Sequence, residues 1–146
     1  MAVTADVLLA TYVYPHSDGA PKVRIANIDS TKFASSEFDI PVEGDIEIDV
    51  DAHDWSNYFK SGLKGALSHL RSRATSNGDG QFVPKSMDVL VHGTVPSGGG
   101  LSSSAALVCA SALAVLKANG DDTVDKTELV ELAIVSERNV GVFSGG

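Results

Sequence analysis

The chain has 146 residues, 43% of them hydrophobic, and a formal net charge of −8 at pH 7. This length and hydrophobic content predict one compact domain spanning residues 1–146, with an ordered core. The acidic balance argues against a nucleic-acid partner or an anionic membrane surface, because no basic face is available to neutralise phosphates. The longest near-apolar run, 105–116, is too short to cross a bilayer. The single cysteine, Cys109, cannot form an internal disulfide and favours a cytoplasmic setting.

Strand-forming residues dominate the first third of the chain. Two β-rich runs, Val3 to Tyr14 and Lys22 to Ile28, flank a cluster of turn residues and predict a β-hairpin. The segments SEFDI and DIEIDV alternate apolar and polar residues on either side of PVEG. This alternation predicts a second pair of strands with one solvated face.

The hydrophobic period changes at Asp54. Apolar residues from Trp55 to Leu70 recur at helical spacing and predict an amphipathic helix with Asp54 as its N-cap. The loop TSNGDGQ ends this helix, and the run MDVLVHG (87–93) then predicts a buried strand. A second helix is expected from about Ser103. Because it has no wide polar stripe, we expect it to be covered on most sides.

A third helix is predicted near the end of the sequence. Asp125 and Glu128 form a capping box at its start, and Gly141 provides its stop. Asp121 and Asp122, before it, are expected in a solvated turn. The element order β-β-β-β-α-β-α-α predicts an α+β fold, with an antiparallel or mixed sheet and helices on one face. The four histidines, His16, His53, His69 and His92, show no metal-ligand spacing. We expect His16 and His69 to be solvated, and His92, near the loop, has contact with a ligand as its alternative.

Three consecutive glycines and three consecutive serines precede the most apolar stretch of the chain, in HGTVPSGGGLSSSAALVCASALAVL (92–116). Glycines allow the backbone to adopt positive φ and to approach a ligand closely. The helix that follows presents unpaired N–H groups and the positive end of its dipole, to which the serines add hydroxyl donors. Together these features predict a phosphate site. Spacing alone leaves open a flexible turn with a serine N-cap, and the pattern is neither a P-loop nor a Rossmann fingerprint.

The segment VPSGGGLSSSAA (95–106) resembles the nucleotide-binding motif of the GHMP small-molecule kinases, in the three-serine form of the galactokinases. DWSNYFKSGL (54–63) is similar to the tryptophan-containing helix of galactokinases, and VSERNVGVFSGG (135–146) resembles the segment leading to their catalytic aspartate. The sequences of both segments are most similar to those of fungal galactokinases. The resemblance implies an incomplete GHMP kinase N-terminal domain, truncated at both ends.

The resemblance also implies a site for ATP and Mg²⁺. Trp55 resembles the ring beside adenine, and a large anchor on an amphipathic helix is its alternative interpretation. Ser104 resembles the serine ligand of Mg²⁺, with Ser103 as the alternative. Glu137, which without the family would be an ordinary solvated helix residue, resembles the carboxylate ligand. The nucleotide would contact these loop residues: Pro96, Gly98, Gly99, Gly100, Leu101, Ser102, Ser103 and Ser104.

The function implied by the resemblance is transfer of the γ-phosphoryl group of ATP to galactose, giving galactose 1-phosphate. The family's sugar signature, G-R-x-N-x-x-G-E-H-x-D-Y, would precede Met1, and its catalytic aspartate would follow Gly146. No catalytic residue is therefore assigned within the sequence, and we expect little turnover by these 146 residues alone. Two alternatives stay open: a non-catalytic galactose and ATP sensor acting through a regulatory protein, and another GHMP kinase acting on mevalonate, homoserine or N-acetylgalactosamine.

Overall fold

A computed structural model of the chain describes residues 4–15, 18–96 and 100–138. In these ranges four strands form one mixed sheet, and three α-helices cover one of its faces, which confirms the predicted α+β fold. Within the described ranges, no helix has both the length and the apolar character needed to span a membrane. The elements are β1 (Val7–Tyr14), β2 (Lys22–Asn27), β3 (Ser36–Asp39), α1 (Ser56–Asn77), β4 (Ser86–Gly93), α2 (Ser103–Ala118) and α3 (Lys126–Glu137).

The strand order in the sheet is β1-β4-β2-β3. β4 pairs antiparallel with β1 and parallel with β2, while β3 pairs antiparallel with β2. The predicted hairpin of the first two strands is therefore wrong, because β4 lies between them. The interior position suits β4, whose Met87, Val89 and Val91 are each at most 3% exposed. A strand that buries this much apolar surface is stabilised most by having a neighbour on both sides.

The second predicted strand pair is also wrong. SEFDI contributes β3, but β3 pairs with β2, and residues 45–49 form no strand. Ile46 is 7% exposed and anchors this segment to the core, while its flanking carboxylates remain in water. The alternating pattern therefore reflects a loop with one buried anchor, in which the Asp49 side chain accepts a hydrogen bond from the Asp51 N–H (3.1 Å).

The hydrophobic core lies between the inner face of the sheet and the helices. The opposite face is uncovered: Leu8, Tyr12 and Leu90 are 60%, 69% and 45% exposed. A sheet that contains antiparallel pairs can pack one face on the core and leave the other in solvent. The largest core side chains from the strands and helices are Val23, Ile25, Met87, Phe59, Leu63, Leu67, Val115 and Leu116.

Helix α1 begins one residue later than predicted. Trp55 occupies the N-cap position, and the carboxylate of Asp54 accepts a hydrogen bond from the Ser56 N–H at 2.8 Å. Asp54 therefore still satisfies one of the free donors of the first turn. The helix ends at Gly78, whose φ of 74° is the left-handed conformation that glycine adopts without steric cost.

Helix α2 packs against α1 and α3 through a face that includes Val108, Ala112 and Val115. Helix α2 is covered on fewer sides than predicted, because Leu113 is 37% exposed on a face beside β1. The predicted capping box of α3 is confirmed: the Asp125 carboxylate accepts from the Glu128 N–H at 2.9 Å, and the Glu128 carboxylate accepts from the Asp125 N–H at 3.2 Å. The predicted stop at 141 lies outside the described residues.

The turn between α2 and α3 holds a buried charge, in contrast to the prediction of a solvated turn. The side chain of Asp121 is only 6% exposed and accepts hydrogen bonds from Arg73 (2.9 Å) and the Thr123 N–H (2.9 Å). His69 is half-buried beside it, with Nε2 at 3.3 Å from the Asp121 carboxylate, so its expected solvation is wrong. Asp122 does remain 75% exposed. The turn is therefore fixed to α1 by an ionic contact that local sequence does not reveal.

Asp121 gives the fold a definite acid sensitivity. Burial alone would raise the pKa of this carboxyl, but the hydrogen bonds from Thr123 and the charge of Arg73 outweigh it and hold the pKa below its ordinary value. A depressed pKa in the folded state stabilises the fold above the unfolded-state pKa, and this contribution is lost as the pH falls through the folded-state pKa.

We expect Asp121→Asn to lower the free energy of unfolding at pH 7 by about 1–3 kcal/mol, because Arg73 and Thr123 lose the charged acceptor at this buried position. The difference from wild type should shrink below about pH 4, measured by urea denaturation across pH. Asp122→Asn is the matched control and should cost less than about 1 kcal/mol. A difference for Asp121→Asn that stays constant to pH 2 would contradict this account.

Candidate functional site

The first turn of α2 is the centre of the candidate site. Gly100 and Ser102 both have left-handed backbones, with φ of 69° and 53°. Such a φ is uncommon for serine and marks a constrained loop. Ser102 occupies the N-cap position, yet its side chain makes no capping hydrogen bond within the described residues. The serine at the N-cap agrees with the alternative that spacing alone left open, but the hydroxyl of Ser102 does not satisfy the free N–H groups of the turn.

The structure brings together two residues that the family resemblance had linked. The Ser104 hydroxyl donates a hydrogen bond to the Glu137 carboxylate at 2.8 Å, although the two residues are 33 positions apart in the sequence. Glu137 is 2% exposed, so the interpretation of an ordinary solvated residue is wrong. A carboxylate is costly to bury unless hydrogen bonds and positive charge compensate it. Here the compensation comes from Ser104 and from the positive end of α2.

These two side chains suit a hard cation that also binds phosphate. Mg²⁺ prefers oxygen ligands and is commonly held by one or two protein groups together with substrate phosphates and water. In the described part of the chain, no cluster of three or more His, Cys, Asp or Glu side chains could hold a metal without such help. The hydroxyl of Ser104 and the carboxylate of Glu137 provide oxygen ligands of the required type at one point.

A groove of about 900 Å³ connects the first turn of α2 with the start of α1. Ser103, Ser104 and Trp55 all line it, so the predicted adenine and phosphate residues share one cavity. Pro96 also lines the groove, whereas positions 97–99 of the loop lie outside the described residues. A second concavity of about 770 Å³, on the open sheet face, contains none of the predicted site residues.

Trp55 is held in place on the groove wall. Its indole N–H donates to the Ala34 carbonyl at 2.7 Å, and its ring meets Phe33 edge-on with centroids 5.7 Å apart. Trp55 is also partly buried against the core. The two interpretations of this residue, core anchor and groove wall, are therefore both compatible with its position. The indole presents an apolar surface whose polar atom is already satisfied.

Sequence reasoning missed several groove residues. Tyr58 lies three residues after Trp55, and helical spacing placed it on the same face. Phe33 reaches the groove from the loop after β2, and no local signal could have indicated it. His92, for which ligand contact was left open, is exposed and lines the groove at the end of β4. The groove thus has more aromatic surface than the motif alone implied.

A family comparison agrees with this geometry. Residues 57–146 match the family described as "GHMP kinases N terminal domain". The chain belongs to the GHMP kinase family. The matched range includes most of α1, all of α2 and α3, and both Ser104 and Glu137. The family assignment thus covers the elements that form the Ser104–Glu137 contact.

Several curated galactokinases of fungi match the whole chain. The chain is 40% identical over 146 residues to the galactokinase of Candida parapsilosis and 41% identical over 147 residues to that of Candida albicans. It is 40% identical over 149 residues to the galactokinase of Saccharomyces cerevisiae. All of this chain aligns in each case, but it spans only 27–28% of the length of these relatives.

Solved structures share the fold. A crystal structure of Lactococcus lactis galactokinase complexed with galactose matches with a TM-score of 0.66 and 26% identity, over 96% of this chain and 31% of that one. A crystal structure of a mevalonate kinase matches with a TM-score of 0.66 and 14% identity, over 94% of this chain and 38% of that one. The second likeness shows the fold alone.

The hydrogen bond between Ser104 and Glu137 can be tested through stability. We expect Ser104→Ala to lower the free energy of unfolding by about 1–3 kcal/mol, since it leaves a buried carboxylate without this donor. Ser103→Ala removes a neighbouring hydroxyl in the same helical turn and should cost less than half as much. Urea denaturation of the three proteins measures both effects. Equal losses would show that the Glu137 contact is not specific to Ser104.

Proposed function

We propose that the chain is the nucleotide-binding part of a galactokinase and that residues 1–146 act as one ATP-binding domain. The observation that carries the proposal is the Ser104–Glu137 contact at the uncapped start of α2, which places oxygen ligands for a cation beside free backbone N–H groups. In this proposal the protein acts in carbohydrate metabolism in the cytoplasm, where thiols such as that of Cys109 stay reduced.

The polyphosphate of ATP would bind at the first turn of α2. Backbone N–H groups at a helix start attract anions, and the left-handed Gly100 and Ser102 shape the loop beside them. The proposed phosphate contacts are the residues of the glycine-serine loop: Pro96, Gly98, Gly99, Gly100, Leu101, Ser102, Ser103 and Ser104. Gly98 and Gly99 enter on the family resemblance alone, since they lie outside the described residues.

Ser104 and Glu137 would hold Mg²⁺. When bound, Mg²⁺ would neutralise charge on the phosphate oxygens during phosphoryl transfer. The residues of this chain fix the position of the phosphates and provide the donors that stabilise the charge on them. Glu137 is well suited to this role because its carboxylate is buried and cannot swing away into solvent.

The base of the nucleotide would lie against the aromatic side chains of the groove. Trp55 offers an indole whose N–H is already bonded to the Ala34 carbonyl, so the ring can contact a purine without leaving a donor unsatisfied. Tyr58 and Phe33 line the same groove, and Phe33 meets the Trp55 ring. A groove that combines aromatic side chains with phosphate donors matches the chemical polarity of ATP.

The proposed reaction transfers the γ-phosphoryl group of ATP to the anomeric hydroxyl of galactose and yields galactose 1-phosphate and ADP. Galactose enters this proposal through the relatives, which are about 40% identical across the whole chain. The sensor and the other GHMP kinases differ from a galactokinase in measurable ways, because a sensor binds without turnover and the other kinases accept different hydroxyl compounds.

Nucleotide binding can be followed through Trp55, the single tryptophan of the chain. We expect MgATP to change the tryptophan fluorescence saturably. Gly100→Ala should weaken the affinity roughly tenfold, because a side chain at positive φ strains the loop by about 1–2 kcal/mol. Gly78→Ala is the matched control: its φ is 74° and it ends α1 away from the groove. Absence of saturable binding to wild type, or equal weakening by both variants, would contradict the proposed site.

The substrate can be tested with a chimera in which this chain replaces the aligned 147-residue segment of Candida albicans galactokinase. We expect galactose-dependent ADP formation, and none with mevalonate, homoserine or N-acetylgalactosamine. Glu137→Gln in the chimera should abolish most turnover, while the unmodified Candida enzyme serves as the positive control. A folded chimera that binds MgATP and galactose without turnover would favour the sensor instead.

A further inference from the structure

Helix α1 packs against both of the helices that carry the Ser104–Glu137 contact. Ser61 is fully buried, and its hydroxyl donates a hydrogen bond to the carbonyl of Ser136, the residue before Glu137. Serine in a helix often bonds to a carbonyl of its own helix. In this case the hydroxyl reaches across to α3 and fixes the backbone next to the buried carboxylate.

Two glycines of α1 allow α2 and α3 to approach closely. A β-carbon at Gly62 would lie 2.6 Å from the Val108 carbonyl oxygen and 2.8 Å from the Ala112 nitrogen of α2. A β-carbon at Gly65 would overlap the Ser136 hydroxyl of α3. Backbone atoms of α2 thus rest on one glycine, and the last turn of α3 rests on the other. The two glycines therefore allow α2 and α3 each to lie close to α1.

The last turn of α3 needs such support. The final carbonyls of a helix lack intrahelical partners, and helix ends fray when nothing holds them. Glu137 is the last residue of α3, so fraying would move its carboxylate away from Ser104. The Ser136 carbonyl accepts from the Arg138 N–H and from the Ser61 hydroxyl. Of these two bonds, the one from Ser61 connects the turn to another helix.

We propose that Ser61 is a positioning residue that holds Glu137 opposite Ser104 and thereby determines how strongly Mg²⁺ increases the affinity for ATP. This inference rests on the proposed nucleotide site. Ser61 is not among the residues that line the groove. Its hydroxyl bonds to the Ser136 carbonyl rather than to Ser104 or Glu137, the two proposed Mg²⁺ ligands. Its effect would pass through the Ser136 carbonyl to the adjoining carboxylate, as outer residues commonly orient the groups that bind a metal.

The test compares ATP affinity with and without Mg²⁺, using the fluorescence of Trp55 in the 146-residue chain. Ser61→Ala is expected to reduce the Mg²⁺-dependent gain in affinity roughly tenfold. The affinity for ATP in EDTA should stay within about twofold of wild type, because the N–H groups of α2 are unchanged. Ser72→Ala, an exposed serine on the same helix, is the matched control and should behave as wild type.

A second variant and a second measurement keep the proposal testable if Ser61→Ala folds poorly. Gly65→Ala leaves the Ser61 hydroxyl in place but displaces Ser136, and it should also reduce the Mg²⁺-dependent gain selectively. Amide hydrogen exchange at Arg138 should become faster in Ser61→Ala, since the last turn of α3 then loses its hydrogen bond from α1.

Each result has a definite meaning. A gain equal to that of wild type in both folded variants would overturn the proposal, and so would equal loss of affinity with and without Mg²⁺, which would indicate a general structural effect. Failure of the wild-type chain to bind ATP in either condition would overturn the proposed function itself. Normal wild-type binding with an unchanged Mg²⁺ response in Ser61→Ala overturns only the role of Ser61.

Discussion

A carboxylate buried at the start of a helix organises this domain. Glu137 is removed from water and accepts a hydrogen bond from Ser104, so its burial is tolerated only where α2 presents its positive end. That requirement fixes α3 relative to α2. It also explains why α1 carries glycine and serine where the three helices meet, since larger side chains would separate the carboxylate from its donor.

Local sequence patterns predicted the elements better than their partners. The capping box at Asp125, the amphipathic α1 and the apolar β4 all follow from short-range rules and were confirmed. Strand pairing was predicted wrongly because β4 inserts between β1 and β2, and this choice depends on burial over more than 60 residues of sequence separation. Periodicity records which face of a segment is buried and contains no information about which segment lies beside it.

The residues of the candidate site also fall into two groups, those with a local sequence signal and those placed by tertiary packing. The loop residues could be predicted because glycines and serines before an apolar helix have a local physical meaning. The burial of Glu137 could not, since its environment is created by α1 and α2, and only the family resemblance indicated a role for it. Phe33 and Asp121 were missed for the same reason, as each is placed by a contact with a distant helix. Tertiary packing decides these positions.

Because the net charge of the protein is −8, binding of a polyanion such as ATP must depend on groups close to the bound anion. At a distance the protein repels a polyanion, but charges more than about 8 Å apart are largely screened at physiological ionic strength. An anion at α2 would therefore be governed by the nearest groups, namely backbone N–H donors and the Glu137 carboxylate. Those two oppose each other, because a buried carboxylate repels phosphate. A cation bound by both the carboxylate and the phosphate would replace their repulsion with attraction to the cation. The proposed Mg²⁺ therefore has an electrostatic reason that does not depend on the family.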